Sequence, residues 1–125
     1  MLDAARGTIA REVERCYGHQ LTRSEADLFD LQSLIDDVVF DKGDEQAFLR
    51  IGVALGDAIE SATGFKWASV EFDGERTPTL VLPGSGLKMF VVQMVWKRVS
   101  GAEDVNLAAI FNWAKELERE KRDGR

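Results

Sequence analysis

Residues 48–73 read FLRIGVALGDAIESATGFKWASVEFD, and this stretch contains a change from helix to strand. In its first half the apolar residues recur every three to four positions, which is the period of one helix face. Gly64 ends that pattern, and from Trp67 the apolar residues alternate with polar ones, as in a strand. The sequence therefore predicts a helix joined directly to a strand within the core.

The predicted helix carries two interior glycines, Gly52 and Gly56, on the same side as Phe48. Each costs about 1 kcal/mol of helix propensity relative to alanine. Close approach of another backbone would compensate for that cost, because glycine has no side chain to block it. We therefore expect a neighbouring element to pack tightly against this side. Asp44 suits the N-cap of the helix, and the expected buried residues are Phe48, Ile51, Leu55, Ala58 or Ile59, and Ala62.

Two further helices are predicted before this one. The first covers about Leu2 to Tyr17 and carries a single apolar stripe. Thr22 and Glu25 have the spacing of a capping box, which predicts the start of the second helix. The stripe of the first helix is Leu2, Ala5, Ile9, Val13 and Cys16 or Tyr17, and that of the second is Leu28, Leu31, Leu34 or Ile35, and Val38.

Three short strands are predicted after the junction. Trp67–Phe72 and Thr77–Leu82 are separated by a turn that begins with Asp73-Gly74, a strong hairpin signal. A third strand is expected over about Lys88 to Val91. Periodicity leaves residues 92–99 open between strand and helix, and we assign them to a short helix.

The order of these elements predicts an α+β fold. N-terminal helices pack on a small antiparallel three-stranded meander, followed by one short and one longer C-terminal helix, the longer one capped by Asp104. The length of 125 residues predicts a single domain. Within it we expect a helical extension over 1–43, an αβ core over 44–117 and a charged, frayed tail over 118–125.

Charge and cysteine content narrow the class of protein. With 16 Lys and Arg against 22 Asp and Glu, the net charge is −6, which disfavours nucleic acid as a partner. The single cysteine, Cys16, indicates a reducing compartment. The N-terminus lacks a signal-peptide pattern, and no apolar run reaches the roughly 18 residues of a membrane span. We expect a cytoplasmic protein that has no membrane partner.

Cys16 and His19 are three residues apart, a spacing compatible with two metal ligands. Zinc needs three or four ligands, and these are the only cysteine and histidine in the chain. No catalytic constellation accompanies them either. The sequence therefore predicts no metal, no cofactor and no catalytic residues.

Five residues form the candidate ligand or partner surface: Asp57, Trp67, Trp96, Lys97 and Arg98. Asp57 follows a helix glycine and is expected to pair with Lys97 or Arg98. The tryptophans either fill the core or line a pocket or partner surface, and core filling is the commoner role of such residues in a small domain.

Several short motifs together resemble a family of small bacterial domains of unknown function. They are Leu55-Gly56-Asp57-Ala58, Thr63-Gly64-Phe65-Lys66-Trp67, Val70-Glu71-Phe72-Asp73-Gly74, Pro78 and Lys97-Arg98. The resemblance covers about residues 48–111. It implies a fold and a bacterial origin but no reaction.

The leading hypothesis is a non-enzymatic protein-interaction domain of adaptor or immunity type, because the chain is small and acidic and lacks a catalytic constellation. The alternative is a small-molecule-binding domain, with its pocket between the glycine-bearing helix and the sheet near Trp67. An enzyme ranks third. A homodimer is compatible with each, since a three-stranded meander leaves sheet edges to cover.

Overall fold

The computed structural model describes residues 2–123, except for the side chain of Phe72, and its fold is the predicted α+β arrangement. Three helices precede an antiparallel sheet, and two helices follow it. The elements are α1 (Leu2–Tyr17), α2 (Leu28–Asp36), α3 (Glu45–Ala62), β1 (Lys66–Phe72), β2 (Glu75–Leu82), β3 (Leu87–Met89), α4 (Val91–Ser100) and α5 (Leu107–Asp123).

Helix α3 is the centre of the molecule and contacts each of the other four α-helices. Asp44 caps it as predicted, since its side chain accepts a hydrogen bond from the Ala47 N–H at 3.2 Å. Every residue from 51 to 59 is buried, so α3 is covered all round and not on one face alone. Ala62, which we expected to be buried, is exposed because it lies at the end of the helix.

Both interior glycines of α3 are sites of close packing, as predicted. A Cβ added to Gly52 would lie 2.5 Å from the carbonyl oxygen of Val92, so the start of α4 fits directly against the backbone of α3. A Cβ added to Gly56 would overlap the indole ring of Trp67 and lie 3.0 Å from Cγ1 of Val91. The two glycines therefore let α4 and the sheet approach the central helix.

The sheet has the order β1-β2-β3 with antiparallel pairing throughout. Phe72 pairs with Glu75, which leaves Asp73 and Gly74 as a two-residue hairpin loop. Both loop residues have positive φ, at 54° and 82°, as a type I′ turn requires. The predicted hairpin is therefore confirmed.

Residues 92–99 are helical, in agreement with our assignment, but the boundary before them differs. Strand β3 ends at Met89 and α4 already includes Val91, which we expected in the strand. Val91 is fully buried, and its carbonyl lies within 2.9 Å of a Cβ placed on Gly52. Packing against α3 thus begins the helix earlier than periodicity indicates.

The predicted start of the second helix was wrong, and Val38, the last residue of its predicted stripe, lies outside the helix. Asp27, not Glu25, supplies the capping carboxylate, which accepts hydrogen bonds from the backbone N–H groups of Thr22, Arg23 and Ser24. Helix α2 ends at Asp36, and Val38 lies beyond it with φ of 52° and 64% of its surface exposed.

The C-terminal helix continues through Asp123 and is anchored within the segment we expected to fray. Glu118 is buried, and its carboxylate accepts a hydrogen bond from the Gly64 N–H and another from Arg122 Nη2 at 3.0 Å. The end of α5 is thereby tied to the junction between α3 and β1. Among residues 2–123, no helix combines the length and apolar character that crossing a membrane requires.

Candidate functional site

Asp57 is the most extensively bonded side chain among the predicted site residues. Only 3% of its surface is exposed, and its carboxylate accepts two hydrogen bonds of 2.7 Å from Nε and Nη2 of Arg6. Trp67 Nε1 donates a third at 3.0 Å, and Arg23 Nη2 lies 3.5 Å away. The hydrogen bond to Asp57 raises the pKa of the Arg6 guanidinium above its usual value.

The expected ion pair between Asp57 and Lys97 or Arg98 was therefore wrong. Gly56 faces Trp67 and Val91, whereas Asp57, one position further along α3, faces α1. Successive helix residues point about 100° apart, which explains the change of partner. Lys97 is exposed near the end of α4, and Arg98 donates to the carbonyl of Met94 at 3.4 Å.

Sequence reasoning missed both arginines at Asp57. Arg6 had a usable signal, because it lies three residues before Ile9 and four after Leu2, inside the apolar stripe of α1. A charged residue in such a stripe is buried only when paired. Arg23 lies in the loop between α1 and α2, where no periodic pattern applies.

A small cleft lies beside this cluster, between α1, α3 and the loop that precedes α2. Its volume is about 250 Å³. We call it the Arg23 cleft, and its lining residues are Arg6, Gly7, Ile9, Ala10, Leu21, Arg23, Asp27, Ala54 and Asp57.

Trp96 belongs to a different region of the molecule. Its ring stacks on Phe48 with centroids 6.2 Å apart, and Phe40 packs edge-on against Phe48 at 6.3 Å. The five predicted site residues therefore fall into two groups, with Asp57 and Trp67 at one place and Trp96, Lys97 and Arg98 on α4 at another. Trp113 on α5 is 45% exposed.

Phe40 and Phe48 of this aromatic cluster, but not Trp96, line a larger cleft of about 430 Å³ between α2, the chain after α2, α3 and the segment that joins α4 to α5. We call it the acidic cleft, because it has three carboxylates and one lysine. Its lining residues are Ile35, Asp36, Val38, Phe40, Lys42, Phe48, Val99, Ala102, Glu103, Asp104 and Val105.

Two residues at this cleft have an unusual backbone. Val38 has φ of 52° and Ala102 has φ of 56°, a left-handed conformation that non-glycine residues rarely adopt. Backbone hydrogen bonds hold both segments, from Val39 N to Leu34 O at 3.1 Å and from Glu103 N to Arg98 O at 2.8 Å. Both hydrogen bonds close the C-terminal turn of a helix, α2 in one case and α4 in the other.

Cys16 and His19 do not meet at a common centre. Cys16 is half-buried on α1, and His19 Nδ1 lies 3.0 Å from both carboxylate oxygens of Asp30. The described part of the chain brings no three His, Cys, Asp or Glu side chains together in a metal-binding arrangement.

Comparison with known proteins gives one family and one structural neighbour. A family described as a domain of unknown function (DUF3806) matches residues 27–111, a range that begins inside the segment we expected to be an extension. A solved structure of a protein from Bacteroides thetaiotaomicron superposes with a TM-score of 0.85 at 17% identity, covering 93% of this chain and 43% of that one. The chain thus spans less than half of that protein, and the likeness shows the fold. No curated protein matches the sequence.

Proposed function

We propose that this chain, which belongs to the family of domains of unknown function DUF3806, is a non-enzymatic module that binds a partner protein. The acidic cleft carries this proposal, because it combines an apolar, partly aromatic floor with carboxylates at its edge. The segment it accepts is basic and presents one bulky apolar side chain. An adaptor or immunity role is the biological form we propose for such a module.

The floor of the acidic cleft supplies the apolar part of the interaction. Phe40, Val99 and Val105 are half-buried there, and Phe48 beneath them is fixed by its ring contacts to Phe40 and Trp96. Anchor side chains that enter such a pocket supply most of the binding energy in protein interfaces. The volume of about 430 Å³ accommodates a side chain of leucine, phenylalanine or tryptophan size.

The edge of the acidic cleft supplies the charge. Glu103 and Asp104 are both exposed, and Asp36 already accepts a hydrogen bond from Gln32 at 3.0 Å. Lys42 is the one cation among the lining residues. A lysine or arginine of the partner is therefore attracted to this edge, and charge complementarity of this kind increases association rate and specificity.

Val38 and Ala102 end α2 and α4 in the left-handed conformation, and backbone hydrogen bonds close both turns beside the cleft. A cleft whose sides are already ordered loses less conformational entropy when it is occupied.

The alternative of a small-molecule pocket between α3 and the sheet has less support. The indole of Trp67 fills the space beside Gly56, where that pocket was expected. The partner hypothesis therefore leads.

The proposal is tested by selecting displayed random peptides on the full chain. Enriched peptides are expected to have lysine or arginine next to tryptophan, phenylalanine or leucine. A labelled enriched peptide is then titrated against a Glu103→Gln, Asp104→Asn double variant, and its affinity is expected to fall by about tenfold and to decrease with salt.

A second double variant, Glu14→Gln with Glu120→Gln, is the matched control, because it removes two exposed carboxylates outside the cleft. It is expected to leave the affinity unchanged. Enrichment of peptides that lack basic residues, or an equal loss of affinity in both double variants, would overturn the proposal.

A further inference from the structure

We propose that the Arg23 cleft is a second binding site, independent of the acidic cleft, for a small monocarboxylate with a short apolar body. Three features of the cleft support this: its apolar walls, a guanidinium with unused donors at its edge, and a glycine that leaves it open. A ligand such as 3-methylbutanoate represents this chemistry.

The surface of the Arg23 cleft is mainly apolar, although four of its nine lining residues are charged, and its apolar side chains come from three segments. Ile9 and Ala10 come from α1, Leu21 from the loop and Ala54 from α3. The volume of about 250 Å³ corresponds to roughly eight water molecules. This size suits a small branched acid.

Arg23 has the donors that a carboxylate needs. Arg6 and Trp67 already satisfy Asp57 with three hydrogen bonds, so Arg23, 3.5 Å away, adds only a loose ion pair. The Arg23 side chain is 57% exposed and carries five N–H donors. A planar guanidinium in this position binds a carboxylate through two parallel hydrogen bonds.

The loop that carries Arg23 is held in an unusual conformation. Arg23 has φ of 57°, and its backbone N–H donates to the buried carboxylate of Asp27 at 2.7 Å. Asp27 also binds the backbone N–H and the hydroxyl of Thr22. The guanidinium is therefore presented by an ordered loop, as a binding site requires.

Gly7 differs from the glycines of α3, because packing does not require it. A Cβ added there would meet only Nη1 of Arg11, at 3.4 Å, although an interior helix glycine lowers helix propensity. Gly7 lines the Arg23 cleft, so its missing side chain keeps one wall open.

The cleft discriminates against an amino group on the ligand. Its two carboxylates, Asp27 and Asp57, already accept hydrogen bonds from the protein on both of their oxygens. Asp27 accepts four such hydrogen bonds and Asp57 three, so the three donors of an ammonium group would share one open acceptor position, and the water lost from the other donors is costly. A simple carboxylic acid is therefore preferred over the amino acid of the same shape.

The test is a titration of the full chain with 3-methylbutanoate, followed by amide chemical shifts. Saturable shifts are expected at Ala10, Leu21 and Ala54, with weaker binding of 3-methylbutanamide, acetate and valine. Arg23→Gln is expected to weaken binding by about tenfold or more, the scale of a charge-assisted hydrogen bond. Arg119→Gln is the matched control, because it removes an exposed arginine with a similarly loose ion pair at 3.9 Å and is expected to bind like wild type.

Gly7→Ala separates binding from folding. The variant is expected to unfold at a higher temperature than wild type and yet to bind 3-methylbutanoate several-fold more weakly. The proposal is overturned if wild type shows no saturable shifts, if Arg23→Gln binds as tightly as wild type, or if the amide binds as tightly as the acid.

Discussion

The indole of Trp67 occupies the space beside Gly56 and donates its Nε1–H to Asp57, the next residue of α3, at 3.0 Å. The sheet is thus joined to the central helix by shape at one position and by a hydrogen bond at the adjacent one. Arg6 of α1 binds the same carboxylate, so three elements meet at Asp57. Stability measurements around these residues test the fold independently of any ligand.

Replacing a helix glycine by alanine is expected to destabilise the protein at Gly52 and to stabilise it at Gly7. Gly52→Ala places a methyl group 2.5 Å from the Val92 carbonyl and lowers the free energy of unfolding by about 1–3 kcal/mol, since the α4 backbone must move. In Gly7→Ala the added methyl group meets only the end of the Arg11 side chain. This substitution raises the free energy of unfolding by about 0.5–1 kcal/mol. Gly56→Leu also destabilises, because it displaces Trp67. Urea unfolding checks the series, and unchanged stability in Gly56→Leu would contradict the packing described here.

Two carboxylates bind Arg6, and their removal is expected to differ greatly. Asp57→Ala leaves a partly buried guanidinium without its main partner and lowers the free energy of unfolding by about 3 kcal/mol. The Asp3 side chain is 97% exposed, so Asp3→Ala changes the free energy of unfolding by less than about 0.5 kcal/mol. Chemical denaturation measures both. Equal losses in the two variants would show that the Asp57 pair contributes no more than a surface ion pair.

Glu118 is expected to anchor the C-terminal helix. Glu118→Ala removes the acceptor of the Gly64 N–H and is expected to cost about 1–3 kcal/mol of unfolding free energy. Glu120, exposed on the same helix, is the control, and Glu120→Ala is expected to stay within about 0.5 kcal/mol of wild type. Amide hydrogen exchange at Gly64 should rise only in the first variant, and equal protection in both would count against the anchor.

Tyr17 is expected to titrate at higher pH in the folded state than in the unfolded state. Partial burial, and then the hydrogen bond from its hydroxyl to Asp37 at 2.7 Å, raise its pKa above the usual value of about 10. The folded protein holds this proton more tightly, so the contribution to stability is complete below about pH 10 and is lost as the pH rises further. Because Tyr17 is the only tyrosine, the absorbance of tyrosinate reports it directly. The same midpoint in native and denatured protein would contradict the expected shift.

The sequence predicted what depends on local pattern. The α3–β1 junction follows from a change of apolar period, the hairpin from Asp73-Gly74, and the close packing of α3 from the cost of Gly52 and Gly56. The identity of a distant partner has no such local signal. Arg6 reaches Asp57 across 51 positions of the chain, and no local pattern distinguished it from Lys97 or Arg98, which are also distant in sequence.

The two clefts could not be predicted from the sequence, because their lining residues also come from distant parts of the chain. Residues of the acidic cleft come from separate segments between Ile35 and Val105, and no motif connects them. Val38 was predicted to continue the second helix, but its left-handed backbone places it at the edge of the cleft instead. Only the fold brings these segments together.

The central claim is that a basic partner segment docks in the acidic cleft, and chemical-shift mapping of an enriched basic peptide on the full chain tests it most directly. The account predicts that the largest amide shifts occur at Phe40, Val99 and residues 102–105. Largest shifts around Phe29 and Trp113, the exposed aromatic residues of α2 and α5, would contradict it.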